Sequence, residues 1–215
     1  MAMTIQVVTI DREFGSGGSD IARRLAEQLR WKLWDQLLTY DIARLAKCDH
    51  AQVARREERI DPLYYRLFKS FLRGSFEGNL AAHRLGLLDA DVIFRLTQRV
   101  VHAAAAEGHA VIVGRGAAFF LADRSDAFHV FLYAPYEDKV RRLIRSGTEP
   151  EEAVRLVDTV DDERADFIKK YFGKDWPSRR LYHMMVNSQM GDEAVVRTIL
   201  NGIATYEEHA APAPR

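Results

Sequence analysis

Ile5-Gln6-Val7-Val8-Thr9-Ile10-Asp11-Arg12-Glu13-Phe14-Gly15-Ser16-Gly17-Gly18-Ser19 is the stretch on which the fold turns. A β-branched apolar run reads as a strand, the glycine cluster as a tight loop, and Ile21, Leu25 and Leu29 then recur at helical spacing to about Arg30. Strand, glycine loop and helix in that order make a phosphate-loop arrangement. The pattern G-x-x-x-x-G-K-[ST] works because small residues let backbone N–H groups close around phosphate oxygens, lysine neutralises charge, and the hydroxyl reaches Mg²⁺. In this chain Arg12 stands at the first glycine position, Gly18 at the lysine position and Ser19 at the hydroxyl position. Gly15, Ser16, Gly17, Gly18 and Ser19 are therefore the candidate phosphate-binding residues, with the helix amides and dipole favouring an anion. Ser19 is a candidate Mg²⁺ ligand, a role compatible with capping the helix. A purely structural turn is the alternative.

Outward from this loop, residues 31–34 read as a short second strand ending at Asp35, and residues 36–47 return to helical periodicity. A carboxylate at the C-terminal end of a strand faces the ligand crevice of an open α/β sheet, so Asp35 is a candidate site residue. Residues 50–107 carry almost no strand signal. They hold the charge run Arg55-Arg56-Glu57-Glu58-Arg59, a break at Asp61-Pro62 and aromatic stretches around Tyr64-Tyr65 and Phe68, and read as a helical insertion. Its last helix spans 89–107, with Val92, Ile93, Leu96, Val100 and Ala104 on one face. Further strands are expected at 110–114, 127–134 and 183–187, and further helices at 135–145, 148–170 and 193–207. Thr148-Glu149-Pro150-Glu151 has the form of a capping box, and residues 209–215 form a frayed, disordered tail. Alternating strands and helices predict an α/β fold with three α/β/α layers and a parallel sheet of about five strands.

Composition narrows the classes. The 215 residues are 47% hydrophobic and 29% charged, the balance of one globular domain. Lys+Arg and Asp+Glu both number 31, so no overall basic field points to nucleic acid, and any polyanion site is local. The single cysteine, Cys48, excludes an intramolecular disulfide and suits a reducing cytoplasm. No segment reaches the roughly 18–20 apolar residues a membrane span needs, and the N-terminus lacks a charged n-region, so neither insertion nor export is expected.

Two more constellations carry chemistry. Gly114-Arg115-Gly116 follows a buried strand, where a guanidinium fork can take a phosphate bidentately. Asp161 and Arg164, three apart on a charged helix, share a face and offer an acceptor beside a forked donor. A structural ion pair at Arg115 and a solvated face at residues 161–164 are the competing readings.

Together, Val7-Val8-Thr9-Ile10 into Gly15-Ser16-Gly17-Gly18, Leu33-Trp34-Asp35, Val111-Ile112-Val113-Gly114-Arg115-Gly116 and Phe131-Leu132-Tyr133-Ala134-Pro135 resemble the cytidylate kinase-like branch of the P-loop nucleoside monophosphate kinases. Arg164 to Phe172, Asp175-Trp176 and Tyr182 to Asn187 extend the likeness over almost the whole chain. The resemblance implies a single kinase domain over 1–208, with core segments 1–48 and 108–208, an acceptor-binding insertion at 49–107 and a lid at 148–172. It implies ATP as donor, Mg²⁺ as cofactor and a nucleotide or related small molecule as acceptor. By position, Arg12, Asp35 and Arg164 would serve catalysis, and Arg115, Asp161 and Arg44 the acceptor. A homodimer through the insertion is the one protein partner expected; nucleic acid and membrane are not.

The chain departs from typical cytidylate kinases in its cations. Gly18 replaces the loop lysine, Asp41 replaces the arginine of the D-[ST]-G-x-x-Y-R motif, and Val157 and Val160 replace lid arginines. Arg12, within the loop, is the leading substitute, with Arg44, Lys169 and Lys170 behind it. Three functions follow: a small-molecule kinase, a degenerate nucleotide-binding module, or an interaction protein whose loop is only a turn.

Overall fold

Six consecutive buried residues, Val7–Arg12, form strand β1 at the centre of a parallel sheet. The computed structural model of the chain describes residues 4–35 and 90–210, and elements are numbered over those residues. The remaining strands are β2 (Lys32–Trp34), β3 (Ala110–Val113), β4 (Ala127–Tyr133) and β5 (Met184–Asn187). Their order is β2-β3-β1-β4-β5, and every neighbouring pair is parallel. Val7 registers with Ala110 on one side and Ala127 on the other, while Arg12 reaches Leu132. The predicted five-stranded α/β fold is thus present.

Helices cover both faces, as continuous apolar strands require. On one face Val8, Ile10, Val111, Val130 and Val186 pack with α1 (Gly18–Leu29) and α6 (Asp192–Ala210). On the other, Val7 and Ile112 meet α2 (Ala90–Glu107) and the end of α5 (Pro150–Phe172) through Ile93, Leu96, Val100, Phe167 and Ile168. Helix α2, which the sequence placed in the insertion, therefore belongs to the core layer. Two short elements, α3 (Ala117–Phe120) and a 3₁₀ turn at Ser188–Met190, are too brief to show periodicity. Helix α4 spans Tyr136–Arg145. Among the described residues no helix is long and apolar enough to cross a membrane.

Three local expectations need correction. Strand β1 runs past Ile10, so Arg12 is its last residue and not part of the loop. Glu149, without a side-chain cap bond, stands at the N-cap of α5 in place of Thr148, whose amide bonds the Leu143 carbonyl in the preceding turn. Helix α6 continues through His209 to Ala210, two residues into the expected tail. The sequence-assigned helix at 36–47, Arg44, Asp41, Cys48, most of the insertion and residues 211–215 lie outside the described residues.

The sheet also carries a buried histidine. His129 Nδ1 lies 2.7 Å from Thr9 Oγ1, and its backbone N–H donates to His183 Nδ1 at 2.9 Å. Burial, then the neighbouring His183, lowers the His129 pKa to about 4. A folded-state value below the unfolded one means that the fold favours the neutral ring, so this stability is present above about pH 6.5 and is lost as pH falls toward 4. The loss attributable to His129 should reach about 3 kcal/mol below pH 4. Urea unfolding between pH 7 and 4.5 checks it: His129→Gln should flatten the profile, and an unchanged profile would refute the assignment.

Candidate active site

At the end of β1 the Asp11 carboxylate accepts hydrogen bonds from Trp176 Nε1 at 3.0 Å and Tyr182 Oη at 2.7 Å. Burial and the adjacent carboxylate push the Tyr182 pKa well above its ordinary value, so the hydroxyl remains a donor. These bonds fasten the segment after α5 against the C-terminal edge of the sheet.

The loop beyond β1 is held from several directions. Glu13 N–H donates to the Leu132 carbonyl, while Glu13 Oε2 accepts from Lys139 Nζ at 3.1 Å and Ala134 N–H at 3.3 Å. Ser16 Oγ donates to the Glu13 carbonyl at 2.8 Å. Gly15 and Gly17 have φ of 76° and 81°, left-handed values that suit glycine, and Gly17 rather than Ser19 is the N-cap of α1. A Cβ on Gly15 would lie 3.0 Å from Lys139 Cβ, and one on Gly17 would run into Arg142 Nη1. The Arg142 guanidinium and the Lys139 stem, whose ammonium is bonded to Glu13, therefore lie against the loop beside the positive end of α1. Such an environment favours an anion between them.

Arg142 Nη2 is tethered to Asp192 Oδ1 at 3.1 Å and lines a cavity of about 510 Å³ next to the loop. Arg141, Arg145, Asp138 and Ser188 share that cavity. Ser188 is 2% exposed, and among the described residues neither its Oγ nor Asp138 Oδ2 has a hydrogen-bond partner.

On the other side of the loop, Arg12, Arg115 and Arg164 are 6%, 3% and 5% exposed and line a narrow crevice with Asp11, Gly116 and Trp176. Arg164 Nη1 donates to the Arg12 carbonyl and to Asp161 Oδ1, both at 2.9 Å. Burial lowers the Arg164 pKa to about 10, helped by the Arg12 charge and opposed by Asp161 and Asp11. Burial likewise lowers Arg115 to about 10, with Asp35 opposing and Arg12 assisting. Both remain cationic at neutral pH. Arg115 has φ of 57° between Gly114 at 61° and Gly116 at 66°, a left-handed run that turns its side chain back beneath the strand ends. For a non-glycine residue this costs about 1–2 kcal/mol, which surrounding structure must offset.

Arg12, Asp35, Arg115 and Arg164, chosen from the sequence, all lie buried at the C-terminal edge of the sheet, and Asp161 joins them through Arg164. Asp161 does something the spacing did not show: it takes the Phe14 N–H at 2.9 Å and so anchors the loop from α5. Burial raises its pKa, with Arg164, the Phe14 amide and Lys139 opposing. Val157 and Val160, at lid-arginine positions, bury against Phe14. The sequence missed Lys139, Arg142, Asp11, Trp176 and Tyr182. The shared helix face of Lys139 and Arg142, three residues apart, offered a signal, as did the family likeness at Trp176 and Tyr182.

The described fold resembles an uncharacterised protein from Eubacterium ventriosum (TM-score 0.65, 21% identity, covering 93% of this chain and 98% of that one). It also resembles shikimate kinase from Acinetobacter baumannii in complex with shikimate (TM-score 0.51, 17% identity, 94% and 95% covered) and shikimate kinase from Bacteroides thetaiotaomicron (TM-score 0.51, 15% identity, 91% and 97% covered). At these identities the likeness establishes a P-loop kinase fold and nothing finer. A search of curated proteins gives no match. The family model described as the cytidylate kinase-like family matches residues 7–190, strand β1 through the 3₁₀ turn, and the chain belongs to that family.

Proposed function

We propose that the protein is a phosphotransferase that moves the γ-phosphoryl group of ATP to a nucleoside monophosphate or a related small acceptor. The observation that carries this reading is that the loop and the Arg12, Arg115 and Arg164 crevice flank the same strand end. Phosphoryl transfer is chiefly positioning and charge neutralisation, so converging fixed cations are the required machinery and no protein nucleophile is needed.

In this reading the donor phosphates lie on Gly15 to Ser19, between the α1 amides and the Lys139 and Arg142 side chains. The left-handed glycines and adjoining cations fit a polyphosphate. The cavity of about 510 Å³ is of the size that holds a small ligand, and it takes the donor base, with Ser188 Oγ and Asp138 Oδ2 available to it. Arg115 holds the acceptor phosphate, and Arg164 completes the positive wall. Mg²⁺ would be held by Ser19 and Asp35, whose buried Oδ1 has no hydrogen-bond partner among the described residues. When bound, it would neutralise charge on the transferring phosphate. Among the described residues no three His, Cys, Asp or Glu side chains converge on a metal site, so phosphate and water would supply the other ligands, as Mg²⁺ sites commonly allow.

A coupled ADP-release assay with Mg·ATP and a panel of CMP, dCMP, UMP, AMP and shikimate tests the proposal. ADP release that depends on one of these acceptors is the expected result. No acceptor-dependent turnover by folded protein would overturn it. A second reading, nucleotide binding with little catalysis, is favoured by the packing of Val157 and Val160 on Phe14, where the family's lid cations would stand. ATP binding by calorimetry without turnover would select that reading.

A further inference from the structure

The path of the Arg12 side chain accounts for the missing lysine. A Cβ on Gly18 would lie 2.6 Å from Arg12 Cγ, 2.9 Å from its Cβ and 3.3 Å from its Cδ. A Cβ on Gly114 would overlap Arg12 Nη1 and come within 3.0 Å of Cζ. The side chain therefore leaves the end of β1, runs along the first residue of α1 and delivers its guanidinium against the end of β3, beside Arg115. Gly18 is the first residue of a helix and has no left-handed φ. Backbone conformation therefore does not call for glycine at this position. The occupied space above Gly18 does.

We propose that Arg12 is the donor-phosphate cation of this loop, reaching the crevice from the strand instead of from the helix, and that Gly18 and Gly114 are glycines because they form the channel for its side chain. The inference rests on the kinase reading above. Arg12 adds charge to a site that already holds Arg115 and Arg164, and its field pushes both of their pKa values down. Three guanidinium groups lining one narrow crevice with, among the described residues, a single carboxylate, Asp11, leave it net positive, and a phosphate chain balances that charge by accepting from several forks at once. The arrangement also makes the exchange concerted. A lysine at position 18 needs a Cβ in the space Arg12 fills, so lysine at 18 and arginine at 12 exclude one another.

The test is titration calorimetry with Mg·ATP and, separately, inorganic tripolyphosphate, on wild type, R12Q, R12K, G18K and R12G/G18K, each with a thermal melt. A charged hydrogen bond of the ordinary size predicts that R12Q binds tripolyphosphate about 10-fold or more weakly. R12K, which keeps a cation but loses the fork, should fall between R12Q and wild type. G18K should melt lower without gaining affinity, and R12G/G18K should return to within about threefold of wild type. Wild-type affinity in R12Q, or a folded double variant no better than R12Q, overturns the inference while leaving the kinase reading intact. If R12Q fails to fold, R12K and the double variant decide by the same criteria. Wild type that binds neither ATP nor tripolyphosphate defeats both.

Discussion

Arg115→Ala should lower kcat/KM for the acceptor by about 10- to 100-fold, the scale of losing charged hydrogen bonds to the acceptor's phosphate. The reasoning combines charge and shape. Arg115 is buried and cationic, and it is turned into the crevice by three successive left-handed residues. Arg164 cannot replace it, because its Nη1 is held by the Arg12 carbonyl and Asp161 Oδ1. Steady-state kinetics on the acceptor identified by ADP release checks the effect, and kcat/KM within threefold of wild type would remove Arg115 from the site. Arg115→Gly separates strain from chemistry. It should be equally impaired yet melt higher than Arg115→Ala, by about 1 kcal/mol in stability, because glycine accepts φ of 57° without penalty. Equal melting of the two variants would mean that the left-handed turn stores no strain.

Arg164→Met should destabilise the fold by about 3–5 kcal/mol, the usual cost of removing one partner from a buried ion pair. In a protein of this size that is roughly 6–20 °C in Tm. The variant loses the bonds to the Arg12 carbonyl and Asp161 Oδ1 and leaves the Asp161 carboxylate with the Phe14 amide and, at 3.9 Å, Lys139. Burial already raises the Asp161 pKa, and loss of Arg164 removes the largest influence opposing that rise. A folded-state pKa above the unfolded one means that protonation favours the fold. The deficit relative to wild type should therefore shrink as pH falls from 7 toward 5. Asp161→Asn in the same chain should recover part of the loss, because the uncompensated charge is gone. A deficit independent of pH, with no recovery in the double variant, would show that Arg164 acts through packing alone.

The two clusters differ in how far the linear sequence discloses them. Asp161 and Arg164 were read as neighbours from their spacing, and they meet at 2.9 Å as one helical turn dictates. That their carboxylate turns to the Phe14 amide, 147 residues away, has no local cause. Arg12 was assigned to the loop because polar Asp11-Arg12 ends the apolar run. Pairing of Asp11 with Phe131 and Arg12 with Leu132 extends the strand through both residues. That extension fixes the direction from which the guanidinium arrives. Beyond their shared helix face nothing in the sequence singles out Lys139 and Arg142, and only the docking of α4 beside Gly15 and Gly17 makes them part of the site.

The sequence by itself determined the order of strands and helices, the position of the phosphate loop and the identity of its absent lysine, because each is written in periodicity and residue type over a few consecutive positions. Tertiary structure alone decided which charges converge. Arg12 and Arg164 come together from opposite ends of the chain, Arg142 reaches Gly17 from the helix after β4, and the space that forbids a side chain at Gly18 is filled by a residue six positions earlier. Burial gives these charges their meaning: a guanidinium in water is an ordinary surface group, whereas three held together beneath the strand ends form a fixed site for an anion.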